Sequence, residues 1–180
     1  MHHKAGFTLI EMMVVLGILG LLAYFLTQTY TGNIFSKADV SSTAMTLHGA
    51  LNYARNESLS RGVVTVCPAN ADNTACNNNA NASWSKGWLV FSPNNDGTSE
   101  IRVFQSKFGD VDNNTLVKTG NPVISFRNGN ADANGTFILC AGNRMDATAR
   151  EVIVTMAGRI RTVSGDDPTA PIAVCDPNNP

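Results

Sequence analysis

An α+β fold, with one long N-terminal α-helix packed on an antiparallel β-sheet domain, follows from three features of this 180-residue sequence. The chain opens on an apolar run about as long as a bilayer is thick. A helical period of apolar residues then continues to about residue 61. Beyond Gly62 the pattern changes to short strand-length runs separated by turn residues, with no second helical stretch.

Residues 1–6, MHHKAG, form a short basic head that ends in a small residue. From Phe7 to Leu26 follow twenty residues, FTLIEMMVVLGILGLLAYFL, whose single charge is Glu11. A helix of that length spans about 30 Å, the thickness of a hydrocarbon core. A secretory signal carries its small-residue cleavage site after the apolar run. Here Gly6 comes before it, so a cut at Gly6–Phe7 leaves the helix on the mature chain. Lys4 on the cytoplasmic side sends the C-terminal part out of the cytoplasm. Glu11 is expensive in such a segment, by about 3 kcal/mol at a span centre. After cleavage Phe7 has a free α-amine four residues before Glu11. Contact between Glu11 and the α-amine of a neighbouring subunit offsets the desolvation when subunits assemble.

Val40, Ala44, Leu47, Leu51 and Ala54 recur at four- and three-residue steps, between polar Asp39, Ser42, His48 and Asn52. That stripe suits packing on a sheet. One helix is therefore expected from Phe7 to near Arg61, bent around Gly32, with Gly62 as its stop. His48 reads as a surface histidine. The strands expected beyond it are 62–67, 87–92, 100–105, 123–127, 136–140, 151–155 and 159–163. Turn-rich segments such as Pro93-Asn94-Asn95-Asp96-Gly97 and Asn128-Gly129-Asn130 lie between them. This divides the chain into a leader (1–6), a membrane or filament-core half of the helix (7–33) and a globular head (34–180).

Composition favours an extracytoplasmic setting. Net charge is −1 and charged residues are 15%, below the roughly 25% of soluble domains. Any case for nucleic acid must therefore rest on a local patch. Cys67, Cys76, Cys140 and Cys175 lie in no metal-ligand spacing and suit an oxidising compartment. Three connectivities are open, and 67–76 with 140–175 is the economical one. No Ser/His/Asp constellation and no Gly-rich phosphate loop is legible, so neither an enzyme nor a cofactor or metal is expected. The acid pairs Asp110/Asp112 and Asp166/Asp167 fall in loops.

The string Gly6-Phe7-Thr8-Leu9-Ile10-Glu11 resembles the type IV prepilin signature. The resemblance implies the type IV pilin fold, cleavage after Gly6 by a prepilin peptidase, N-methylation of Phe7 and an assembly role for Glu11. It also implies residence in the inner membrane, single-pass with the head in the periplasm, and then in an extracellular filament beside other major and minor pilins. The body is similar to the GspH/FimT family of minor pilins and pseudopilins. That likeness rests on Ala54-Arg55-Asn56-Glu57, Arg61-Gly62, Trp84, Gly87-Trp88-Leu89-Val90-Phe91, Asn95-Asp96-Gly97 and Gly158-Arg159-Ile160-Arg161.

The last tetrad carries the functional expectation. On a strand, Arg159 and Arg161 project from one face while Ile160 points into the core. Two guanidiniums on one face can clamp phosphate. In FimT-like minor pilins the motif is associated with DNA binding during natural transformation. The expectation is therefore contact with double-stranded DNA through Gly158, Arg159 and Arg161, with Arg144 and Arg150, near in sequence, extending the patch. The small basic excess and the absence of interleaved aromatics make it non-specific and directed to the duplex backbone. The alternatives are a purely structural minor pilin that primes pilus assembly, or a GspH-like pseudopilin of a type II secretion system.

Overall fold

The computed structural model describes residues 8–30, 33–77, 79, 82–93, 99–105, 108, 115–142 and 149–165. Two compact units result, residues 1–35 and 36–180. The first contains helix α1, Leu9–Tyr30. Thr8 starts it, accepting the Glu11 backbone N–H through its hydroxyl at 3.4 Å and its carbonyl at 3.1 Å, as an N-cap residue does. Glu11 sits in the first turn. Leu9, Ile10, Met13, Leu16 and Leu21 are all more than half exposed, so apolar surface runs around the helix rather than along one stripe. A helix apolar all round requires a nonaqueous or protein surround. Among the fully described residues no helix is long and apolar enough to cross a membrane. The expected span, Phe7–Leu26, has both ends outside that set.

Helix α2 covers Asn33–Arg61. The single bent helix expected from Phe7 is helical on both sides of residues 31–32, which lie outside the described residues together with the expected bend at Gly32. The predicted stripe is the buried one: Val40, Ala44, Leu47, Leu51 and Ala54 are no more than 1% exposed, with Ala50 and Ser58 beside them.

Among the described residues nine strands follow: β1 Val64–Pro68, β2 Gly87–Pro93, β3 Ser99–Gln105, β4 Thr115–Lys118, β5 Ile124–Arg127, β6 Asn130–Ala131, β7 Gly135–Cys140, β8 Arg150–Val154 and β9 Ile160–Ser164. All pairings are antiparallel. They form not one sheet but two, ordered β3-β2-β1-β5-β6 and β4-β7-β8-β9. The stripe of α2 shares one core with both: Val64, Val66, Trp88, Val90, Ile124 and Phe126 from the first, and Leu116, Phe137, Leu139, Val152 and Val154 from the second. Trp84, just before β2, meets Phe137 edge-on with ring centroids 4.8 Å apart and so ties the sheets together. The other face of the first sheet carries a smaller cluster, Cys67, Ala69 and Leu89, packed against Cys76, Phe91 and Val123.

The Cys67–Cys76 disulfide forms as expected, with Cα atoms 5.5 Å apart. Cys140 is disulfide-bonded as well, and Cys175 lies outside the described residues. Strands β4 and β6 were not expected. Thr115–Lys118 places its two apolar residues side by side and so shows no alternation, and Asn130–Ala131 belongs to what reads in sequence as a turn.

Candidate nucleic-acid interface

The arginine tetrad lies on a hairpin. Strands β8 and β9 are joined by Met156-Ala157-Gly158, with Gly158 N–H donating to Thr155 O at 2.8 Å and Thr155 N–H to Arg159 O at 3.0 Å. Gly158 has φ +72°, the left-handed residue that closes a three-residue hairpin loop. From there the register sets the side chains. Arg161 stands opposite Ile153, and Ile160 opposite Val154. Alternation sends Ile160 to the core and leaves Arg159 and Arg161 together on the outward face of an edge strand, both exposed. Neither forms an ion pair within 4.0 Å among the described residues.

The hairpin is held from behind. A second hairpin, β5–β6, turns through Asn128 (φ 50°) and Gly129 (φ 77°), the two left-handed residues of a type I′ turn. A Cβ on Gly158 would lie 1.8 Å from Gly129 O and 2.9 Å from Arg55 Nε. Only glycine admits that approach. Arg55 Nε–H donates to Gly129 O at 3.1 Å, Gly129 N–H to Ser58 Oγ at 3.0 Å, and Ser58 Oγ–H to Arg55 O at 2.7 Å. Ala131 N–H donates to Met156 O at 3.0 Å and Met156 N–H to Asn134 Oδ1 at 2.8 Å. Helix α2 and the two hairpins therefore meet at one polar lock directly before Arg159. His48 adds a contact farther along, Nδ1 to Thr162 Oγ1 at 3.0 Å.

The same lock explains the Ala-Arg-x-Glu helix motif. Arg55 turns to the hairpins, while Glu57 pairs with Arg61 at 2.6 Å. Arg61 in turn reaches Glu100 at 3.0 Å, and Arg102 meets Glu100 at 3.4 Å and lies 4.4 Å from the Tyr53 ring centroid. These cations are used inside the fold. Lys118 is also engaged, its Nζ on the carbonyls of Asn121 and Thr119. Burial lowers its pKa, partly opposed by Asp132.

Of the two residues expected to extend the patch, Arg150 is placed on a different face from Arg161. Arg150 lies opposite Ser164 and alternates onto the face of Val152 and Val154, away from Arg161. Its Nη1 donates to Ala149 O at 2.9 Å. Arg144, Gly6 and Phe7 lie outside the described residues, as do Asp110, Asp112, Asp166 and Asp167. Among the described residues no three His, Cys, Asp or Glu side chains gather as a metal site.

One acid faces the arginines. Burial raises the Glu151 pKa, and Arg161 pulls it partly back. A carboxyl whose folded pKa is raised holds its proton more tightly when folded. Its contribution is complete below the unfolded value near 4.5 and is lost as pH rises through the folded value. Glu151→Gln is expected to flatten that part of the stability–pH curve, in thermal melts recorded across the acid range. An unchanged curve would show that Glu151 titrates as it does in the unfolded chain.

Comparison with known proteins agrees with this architecture. The family described as Type II transport protein GspH matches residues 43–158, and the prokaryotic N-terminal methylation motif matches residues 1–23. No curated protein matches the chain. Among solved structures, the type IV minor pilin FimU of Pseudomonas aeruginosa is similar at 20% identity and a TM-score of 0.50, over 69% of this chain and 87% of FimU. The minor pseudopilin EpsH from the type 2 secretion system of Vibrio cholerae is similar at 10% identity and a TM-score of 0.47, over 72% of this chain and 99% of EpsH. At such identities the likeness to FimU speaks for the fold alone. The GspH match spans well over half of the sequence and a prepilin methylation motif precedes it: the chain belongs to the GspH family, as a minor pilin or pseudopilin of the type IV pilin fold.

Proposed function

We propose that this subunit is a minor type IV pilin that captures extracellular double-stranded DNA by its phosphate backbone, for uptake in natural transformation. The observation that carries the reading is the Arg159/Arg161 face, two exposed guanidiniums on an edge strand with no acid paired to them among the described residues. Elsewhere in the head, Arg61 and Arg102 are committed to Glu57 and Glu100. An exposed pair on a rigid hairpin, in no ion pair among the described residues, offers bidentate donors to phosphate without base readout. The N-terminal helix would hold the subunit first in the inner membrane and then in the filament, so that bound DNA follows the filament when it retracts.

The test is a duplex-DNA titration of the full chain in neutral detergent at several salt concentrations, beside Arg159→Gln/Arg161→Gln. Losing two phosphate contacts should lower the slope of log affinity against log salt by about 1.8, with the melting temperature unchanged. Failure of the wild-type chain to bind at low salt would leave a subunit that only primes assembly, or a type II secretion pseudopilin. The two arginines would then serve subunit contacts.

A further inference from the structure

Arg127 is a cation that the tetrad does not include. It ends β5 immediately before the Asn128-Gly129 turn, opposite Asn130 in the register. Phe126 beside it is fully buried, so alternation sends Arg127 outward, and it is exposed. No ion pair engages it among the described residues.

The acid that lines the same groove, Asp132, is otherwise occupied. Asp132 accepts the Ser125 N–H at 3.0 Å and lies within the electrostatic reach of Lys118. Around Arg127 an open groove of about 570 Å³ is lined by Val63, Ser125, Asn128, Asn130 and Asp132. The asparagine amides at its rim add neutral donors suited to phosphate and sugar oxygens.

The placement of this groove is set by the lock already described. Gly129, two residues after Arg127, touches Gly158, one residue before Arg159. At 3.8 Å per residue the two Cα atoms can be no more than about 17 Å apart. A separation within that bound is compatible with both arginines contacting the backbone of one duplex, whose major groove is about 12 Å wide. Because the Ala131–Met156 hydrogen bond joins the two hairpins and the Arg55 and Ser58 bonds tie β5–β6 to α2, that spacing is built before any ligand arrives.

We infer that Arg127 is a third phosphate-contact residue, extending the nucleic-acid surface from the β8–β9 hairpin across the Gly129–Gly158 contact onto the β5–β6 hairpin. This rests on the DNA-capture reading above and adds a footprint to it.

The experiment titrates a mixed-sequence duplex into the full chain in neutral detergent, at several salt concentrations. Wild type, Arg127→Gln, Arg127→Lys and Arg159→Gln/Arg161→Gln are compared, with melting temperatures as the control for folding. Arg127→Gln should weaken binding for every sequence and lower the salt slope by about 0.9, while Arg127→Lys keeps the wild-type slope. A wild-type slope in Arg127→Gln, together with loss in Arg159→Gln/Arg161→Gln, would overturn the inference and leave the parent reading standing. Absence of wild-type binding would remove both.

Discussion

Gly158→Ala is expected to destabilise the globular unit by about 3 kcal/mol, from left-handed strain and overpacking together. The new methyl would sit 1.8 Å from a backbone oxygen, Gly129 O. A flexible side chain could swing aside; a carbonyl in a two-residue turn cannot. The β8–β9 hairpin must therefore move away from β5–β6 and α2, weakening the Ala131–Met156 and Arg55–Gly129 hydrogen bonds. Arg159 follows Gly158 directly, so DNA affinity should fall in the same variant although both arginines remain. Thermal denaturation and DNA titration of one preparation check both effects. Wild-type values in each would mean that the hairpins are not in contact in solution.

Removing the indole that joins the sheets should cost more. Trp84→Ala empties a fully buried site against Phe137 and Trp88, and a large aromatic lost from a core costs about 3–5 kcal/mol. The expected fall in melting temperature is about 10 °C. Trp84→Phe should cost far less than the alanine variant. The Trp84 Nε1–H is buried with no hydrogen-bond partner among the described residues, so phenylalanine keeps the edge-on contact and removes an unsatisfied donor. Equal losses in the two variants would show that the indole N–H is satisfied in solution. DNA affinity measured well below the transition should be unchanged in both, because Trp84 lies in the core and not in the hairpin lock.

Much of this architecture is legible because its signals are local. The stripe Val40–Ala54 and the alternation around Ile160 are periodic patterns, and a period states which side of an element meets the core; the Gly87–Phe91 run is apolar throughout and marks a strand without stating its face. The outward direction of Arg159 and Arg161 is legible for the same reason. Two strands escaped because neither carries an alternating pattern: β4 sets Leu116 beside Val117, and β6 is two residues inside a turn-rich segment. Arg127 escaped because nothing in its neighbourhood of the chain marks it. The role proposed for it rests on what the next turn touches. Arg150 misled in the opposite sense: proximity in sequence suggested a shared patch, yet its parity along β8 places it on the other face.

The sequence by itself determined the family, the apolar N-terminal helix, the buried stripe of α2 and the two-arginine face, all properties of neighbours along the chain. Only the tertiary structure decided that the strands divide into two sheets and that Trp84 bridges them. It alone showed that Gly158 is a contact point rather than merely a turn residue. Arg55 and Gly129 are separated by 74 residues, and no periodicity reaches that far. Their meeting depends on how two hairpins and a helix pack, so the spacing of the arginines it sets belongs to the folded chain.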